Sequence, residues 1–153
     1  LVMASFAEMR SDNDEILRIV VISDNDVDNN GGELSAQAET WVTDNINPCE
    51  NIKEELGGTY PATYWKQTSY SNAFRGGYAH TGGEYDSVND VFVRIKPFPS
   101  WVLEDNKWEW EAPVAKPTEE EYHKSWNEDL GRWEGTKEGG LYFHDGNSWS
   151  EVV

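Results

Sequence analysis

From Thr63 to its end the chain carries no apolar pattern with the 3.6-residue period of a helix, and its aromatic residues recur seven apart. The pairs are Tyr78 and Tyr85, Tyr85 and Phe92, Trp101 and Trp108, Trp126 and Trp133, and Tyr142 and Trp149. At 13% aromatics, chance supplies about two or three such pairs where five stand. Residues i and i+7 face each other across an antiparallel hairpin when the two residues midway form its turn. Midway between Tyr142 and Trp149 lies Asp145-Gly146, a favoured two-residue turn. Facing aromatics stabilise a hairpin by roughly 0.5–1 kcal/mol per pair. The segments SWVLEDNKWE (100–109) and SWNEDLGRWE (125–134) also resemble one another. They predict two copies of one hairpin, with Trp101 against Trp108 and Trp126 against Trp133.

The N-terminal half reads differently. Ser5–Met9 and Ile16–Ile22 predict a hairpin about the polar turn Ser11–Asp14. Ser23–Gly32, rich in Asp, Asn and Gly, is expected to be a loop. In Glu33–Ile46 the period changes: Leu34, Ala38, Trp41, Val42 and Ile46 share one helical face, and Asn47-Pro48 stops the helix. Asn51–Leu56 predicts a further helical turn, with Asn51 and Glu54 spaced as a capping box and Gly57-Gly58 ending it. Thr63–Thr68 reads as a strand. The expected fold is α+β, mainly antiparallel hairpins with one helix near the N-terminus. Pro97, Pro99, Pro113 and Pro117 make Lys96–Ser100 and Ala112–Thr118 stiff, extended connections. They divide the chain into a β-rich domain with one helix (residues 3–98) and an aromatic hairpin extension (residues 99–153). Thr118–Glu121 reads as either a helical turn or a solvated acidic run.

A net charge of -17 repels phosphate backbones and anionic lipid, so neither nucleic acid nor a membrane surface is an expected partner. Leu1–Arg10 has no basic stretch followed by a long apolar run, so neither a secretory signal nor a membrane span is expected. The mean hydropathy of -0.75 leaves the core to the aromatics, eight of them Trp. Those rings serve either as packing or as a surface for partners or sugars.

Catalytic and metal motifs are missing from the sequence. Asp24, Asp26 and Asp28 alternate as in a calcium loop, but Asn29 and Ser35 stand where an EF-hand needs Gly and Glu. His80, His123 and His144 are far apart and lack zinc spacing. Cys49, beside Pro48 and Glu50, has no activating cation in sequence. Glu109 and Glu111 flank Trp110, a pattern that fits a sugar cleft and equally an edge strand with one wet face. No enzyme activity, metal or cofactor is expected.

From Met3 to about Trp133 the chain resembles a family of small proteins encoded by marine bacteriophages, particularly those infecting cyanobacteria. The stretches that carry the resemblance are MASFA (3–7), WKQTSY (65–70), Phe74-Arg75 with Tyr78-Ala79, and Glu84-Tyr85-Asp86. Further on they are Val91-Phe92, KPFPSW (96–101) with Leu103-Glu104, Trp108, and APVAKP (112–117). The acidic segment Asp24–Asn30 and the last hairpin, Leu141–Val153, depart from it. The resemblance implies a virion structural or accessory protein without catalytic motif, held in a multi-copy assembly with other virion proteins. Assembly would take place in the host cytoplasm. Its docking residues are expected to be Trp65, Tyr70, Phe74, Tyr78, Phe98, Trp101, Trp108 and Trp110, with a carbohydrate- or host-receptor-binding module as the alternative.

Overall fold

The structure is a computed structural model that describes residues 3–58 and 62–153. The chain divides into two compact units, one ending at Ile95 and the other Lys96–Val153, against the 98/99 boundary drawn from sequence. The architecture is α+β, with antiparallel sheets and hairpins throughout and three short helices in the N-terminal half.

In the first unit, β1 (Met3–Arg10) lies between β2 (Ile16–Ser23) and β3 (Thr63–Thr68) in one antiparallel sheet. Residues 4–9 of β1 are all buried, because both faces of this sheet are covered. Alternation sends Ala4 and Phe6 to one face and Ala7 and Met9 to the other. On the first face they meet Val27, Ala38 and Val42 from the helices. On the second they meet Ala79, Tyr85 and Phe92, the last two from the hairpin of β4 (Glu84–Asp86) and β5 (Val91–Val93). The β1–β2 register shifts between Glu8 and Met9, so that Glu8 pairs Arg18 while Met9 pairs Ile16. Leu17 is the extra residue of a bulge, and Ile16 and Ile19 therefore face the same way despite their odd spacing.

The helices differ from expectation in number. Asp24–Asn29, expected as loop, is α1: the Ser23 hydroxyl accepts from Asn25 N–H (3.3 Å), Asp24 and Asp26 sit in the first turn, and Val27 is buried in the core. A cap and one apolar anchor outweigh the loop-like composition. The main helix, α2, is Ala36–Asn45 and starts later than Glu33 because Ser35 caps it, its hydroxyl accepting from Ala38 N–H (3.0 Å). Leu34 lies outside it with φ 61° and is exposed, its N–H donating to Gln67 Oε1 (2.7 Å). The expected turn near Asn51–Leu56 is α3, Glu50–Glu55; its N-cap is Cys49, with no side-chain cap, so the Asn51–Glu54 capping box does not form.

In the second unit, β6 (Val102–Glu104) pairs with β7 (Glu109–Glu111). The strands β8 (His123–Asn127), β9 (Arg132–Lys137), β10 (Gly140–His144) and β11 (Trp149–Glu151) form a meander in the order β11-β10-β9-β8. Thr118–Glu121 is exposed and not helical, the solvated alternative.

The hairpin registers decide which aromatics meet. Trp126 pairs with Trp133 at 5.5 Å between ring centroids, and Tyr85 with Phe92 at 5.2 Å, as the seven-residue spacing predicts. Trp101 and Trp108 do not pair: Leu103 faces Trp110 and Glu104 faces Glu109. Tyr142 faces Glu151, and His144 faces Trp149. Each of the hairpins β6–β7, β8–β9 and β10–β11 closes over a four-residue loop instead of a two-residue turn. In the first two the fourth loop residue is left-handed, Gly131 at φ 60° and Trp108 at φ 57°. Trp108 thus matches Gly131, not Trp133, and the strands register two residues away from the sequence alignment.

Candidate functional site

The eight expected docking residues separate into three places. Trp65, 4% exposed on β3, sits in the core of the first unit beneath the Arg18 guanidinium, 5.5 Å from its ring. Its ring is not available to a partner, which corrects the expectation. Its strand position puts it on the face covered by helices, beside Phe6. Tyr70 is 84% exposed and touches Tyr78 edge-on (5.6 Å); Tyr78 in turn touches His80 (6.0 Å). Phe74 lies half-buried in the same irregular segment. Burial, and then Arg94, hold the His80 imidazole below its ordinary pKa, so it is neutral at neutral pH. Among the described residues no group of His, Cys, Asp and Glu is placed to hold a metal, the alternating Asp24, Asp26 and Asp28 included.

The remaining four lie in the second unit, around a cleft of about 380 Å³ lined by Trp101, Trp110, Glu111, Ala112, Val114, Ala115, Lys116 and Trp133. Three separate segments build it: Trp101, the run from Trp110 to Lys116, and Trp133. Trp101 stands just ahead of β6 and packs between Phe98 (5.5 Å) and Trp133 (6.1 Å). Trp110 projects from β7. The extended chain Ala112–Lys116 supplies a third wall, tied down by Trp133 Nε1–H donating to the Val114 carbonyl (2.8 Å). Pro113 and Pro117 keep this wall extended without further donors. Trp133, buried on β9, joins the wall to the sheet. Trp108 is in the β6–β7 turn and not among the lining residues.

Glu128, at the β8–β9 turn, holds the approach to Trp101. Its carboxylate accepts from the Ser100 backbone N–H (2.8 Å), the Ser100 hydroxyl (2.7 Å) and Trp126 Nε1 (2.7 Å). Hydrogen bonds first from Ser100 and then from Trp126 lower its pKa below the ordinary glutamate range. The lysines near the cleft lie over rings, Lys116 Nζ 5.6 Å from the Trp133 centroid and Lys96 Nζ 5.3 Å from that of Trp110. Trp101 Nε1 is buried without an acceptor. The cleft therefore offers indole surface and one lining ammonium group, that of Lys116. Among its lining residues the one carboxylate is that of Glu111.

Sequence reasoning singled out Trp101 and Trp110 but not Trp133 or Lys116, which reach the cleft through the β8–β9 register and the Val114 hydrogen bond. It also missed Glu8. This carboxylate is fully buried and accepts from Cys49 N–H (2.9 Å) and Thr63 Oγ1 (2.7 Å) on one oxygen and from Arg18 Nε on the other. With each oxygen engaged it acts as a clamp between β1, β2, β3 and the start of α3. The one signal was an acid inside the otherwise uncharged strand MASFAEM.

No protein-family model matches the chain, no curated protein is significantly similar to it, and no solved structure matches it significantly.

Proposed function

We propose that this chain is a binding protein, a structural or accessory component of a bacteriophage virion that docks on a capsid, neck or tail protein. The observation that carries the docking reading is the cleft of Trp101, Trp110 and Trp133, walled by a proline-held extended segment. The partly exposed indoles of Trp101 and Trp110 beside a stiff strand have the composition of an interface core, and large aromatic surfaces on small domains mark partner sites. Ring geometry favours a protein partner over a sugar. Trp101 and Trp133 are inclined by 58° and Phe98 and Trp101 by 37°, whereas a sugar platform presents flat, coplanar faces. The virion assignment rests on the resemblance of WKQTSY and KPFPSW to proteins of cyanobacterial phages. A net charge of -17 disfavours phosphate backbones and anionic lipid as partners, and among the described residues no helix is long and apolar enough to cross a membrane.

The test is reconstitution of the full chain with particles depleted of it, followed by cryo-electron microscopy of the reassembled virion. The expected contact map places a neighbour on Trp101 and Trp110, and a Trp110→Ala chain stays folded but is not incorporated. A chain that binds oligosaccharide and no virion component, or a Trp110→Ala chain incorporated at the wild-type level, overturns the reading.

A further inference from the structure

We infer that β2 is a self-pairing edge: two copies of the chain join their sheets by antiparallel pairing of Ile19–Ser23 with the same residues of a second copy. This contact lies in the first unit and depends neither on the aromatic cleft nor on the docking function proposed above.

The direction of the backbone groups carries the inference. Arg10 N–H donates to the Glu15 carbonyl (3.0 Å) on the β2 side of β1, and Ser11 N–H donates to the Ala62 carbonyl (3.0 Å) on the β3 side. Alternation along β1 therefore turns the backbone groups of Ala4, Phe6 and Glu8 towards β2. Their register partners Ile22, Val20 and Arg18 turn back towards β1. Ile19, Val21 and Ser23 are left with N–H and C=O pointing away from the sheet. The start of this edge is occupied, because Gly82 N–H donates to the Ile16 carbonyl (2.7 Å) and Ile16 N–H to the Gly83 carbonyl (2.8 Å). Beyond it, no described residue hydrogen-bonds the outward backbone of Ile19 or Val21. No Pro, Lys or acidic residue blunts the stretch Leu17–Ser23, and Val21 is 53% exposed.

The register follows from where the free edge begins and ends. The bulge at Leu17 interrupts it on one side, and α1 ends it at Asp24 on the other. The middle of the regular stretch Ile19–Ser23 is Val21. Outward groups bond only outward groups, so a two-fold axis at Val21 places Val21 against Val21 and Ile19 against Ser23. The same register keeps the faces matched, since Ile19, Val21 and Ser23 alternate to one side of the sheet. Every residue in this contact is uncharged, in a chain whose net charge of -17 opposes self-association elsewhere.

A second copy also closes the assembly. The opposite edge of the sheet, on β3, is not bare: Arg75 Nη1 donates to the outward Gln67 carbonyl (2.9 Å). One pairing therefore gives a sheet of order β3-β1-β2-β2-β1-β3 that stops at the dimer instead of growing into a filament.

The experiment is sedimentation equilibrium of the full chain from about 1 μM to about 1 mM, with amide hydrogen exchange measured at both extremes. A monomer–dimer equilibrium is expected, and the Ile19 and Val21 amides should exchange about tenfold or more slowly at the higher concentration. The Val20 and Ile22 amides, bonded to β1, should be slow at both. Val21→Pro removes an outward N–H without touching the bonds to β1, and should raise the dimer dissociation constant about tenfold or more. Val21→Lys sets like charges opposite each other across the axis and should do the same, although it lowers the net negative charge that resists association in general. Both variants should keep the circular dichroism of the parent chain; if Val21→Pro fails to fold, Val21→Lys decides alone. A chain that stays monomeric at about 1 mM overturns the inference. So does a dimer whose Ile19 and Val21 amides exchange as fast as in the monomer, or one that Val21→Lys leaves equally tight.

Discussion

Replacing Glu8 by Ala should unfold the first unit far more readily than the loss of one side chain suggests. The carboxylate holds Cys49 N–H at 2.9 Å and Thr63 Oγ1 at 2.7 Å in a site with no solvent exposure. Removing it orphans the buried Thr63 hydroxyl and the partly buried Cys49 N–H, at about 1–2 kcal/mol each. Arg18, whose side chain is 38% exposed and also donates to the Asn47 carbonyl, can turn to water at little cost. The space vacated by the glutamate stem adds about 1 kcal/mol, for a total near 4 kcal/mol. With a urea slope of about 1.5 kcal/mol/M, the midpoint should fall by about 2–3 M. Glu8→Gln retains an oxygen for the two donors and loses only the ion pair, so it should cost about 2 kcal/mol. Thr63→Val in the Glu8→Ala background removes one orphan and should recover about 1 kcal/mol. Urea denaturation followed by far-ultraviolet circular dichroism measures all three. A Glu8→Ala penalty below 1 kcal/mol, or no recovery from Thr63→Val, would refute the view that donor satisfaction, and not packing, makes Glu8 matter.

Trp108→Gly should leave the β6–β7 hairpin no less stable, and up to about 1 kcal/mol more so, because a left-handed backbone strains any residue with a Cβ; thermal denaturation reads this, and a loss above 2 kcal/mol would show the indole to be a packing residue. Glu128 is held below the ordinary glutamate value of 4.5 by Ser100 and Trp126. A lowered folded value means that its contribution to stability is complete above the ordinary range and is lost as the pH falls through the folded one. Tryptophan fluorescence of the chain should therefore change on acidification below pH 4.5, and Glu128→Gln should show the altered signal already at neutral pH with little further change. Identical acid profiles would count against Glu128 holding Ser100 and Trp126 in place.

Local pattern determined much of this protein. The hairpin of β1 and β2, the strand Thr63–Thr68 and the body of α2 follow from apolar spacing and turn residues close by in sequence. The pairs Trp126–Trp133 and Tyr85–Phe92 follow likewise, because both sit symmetrically about their loops. The same spacing failed at Trp101 and Trp108. There the left-handed loop position falls on Trp108, and a two-residue displacement of the turn moves Trp110 into register and frees Trp101 to pack on Phe98 and Trp133. Position within a four-residue loop depends on backbone angles that aromatic periodicity does not report. The helix at Asp24–Asn29 was hidden for a different reason: its composition is that of a loop, and only the burial of Val27 against Phe6 and Trp65 makes a helical turn worth forming. Tertiary packing alone put an acid, Glu8, at the centre of the first unit, since a buried carboxylate needs donors from three distant segments. It alone brought Trp101, Trp110, Trp133 and Lys116 to one cleft, because residues tens of positions apart meet only when strand register and the Val114 hydrogen bond bring their segments together.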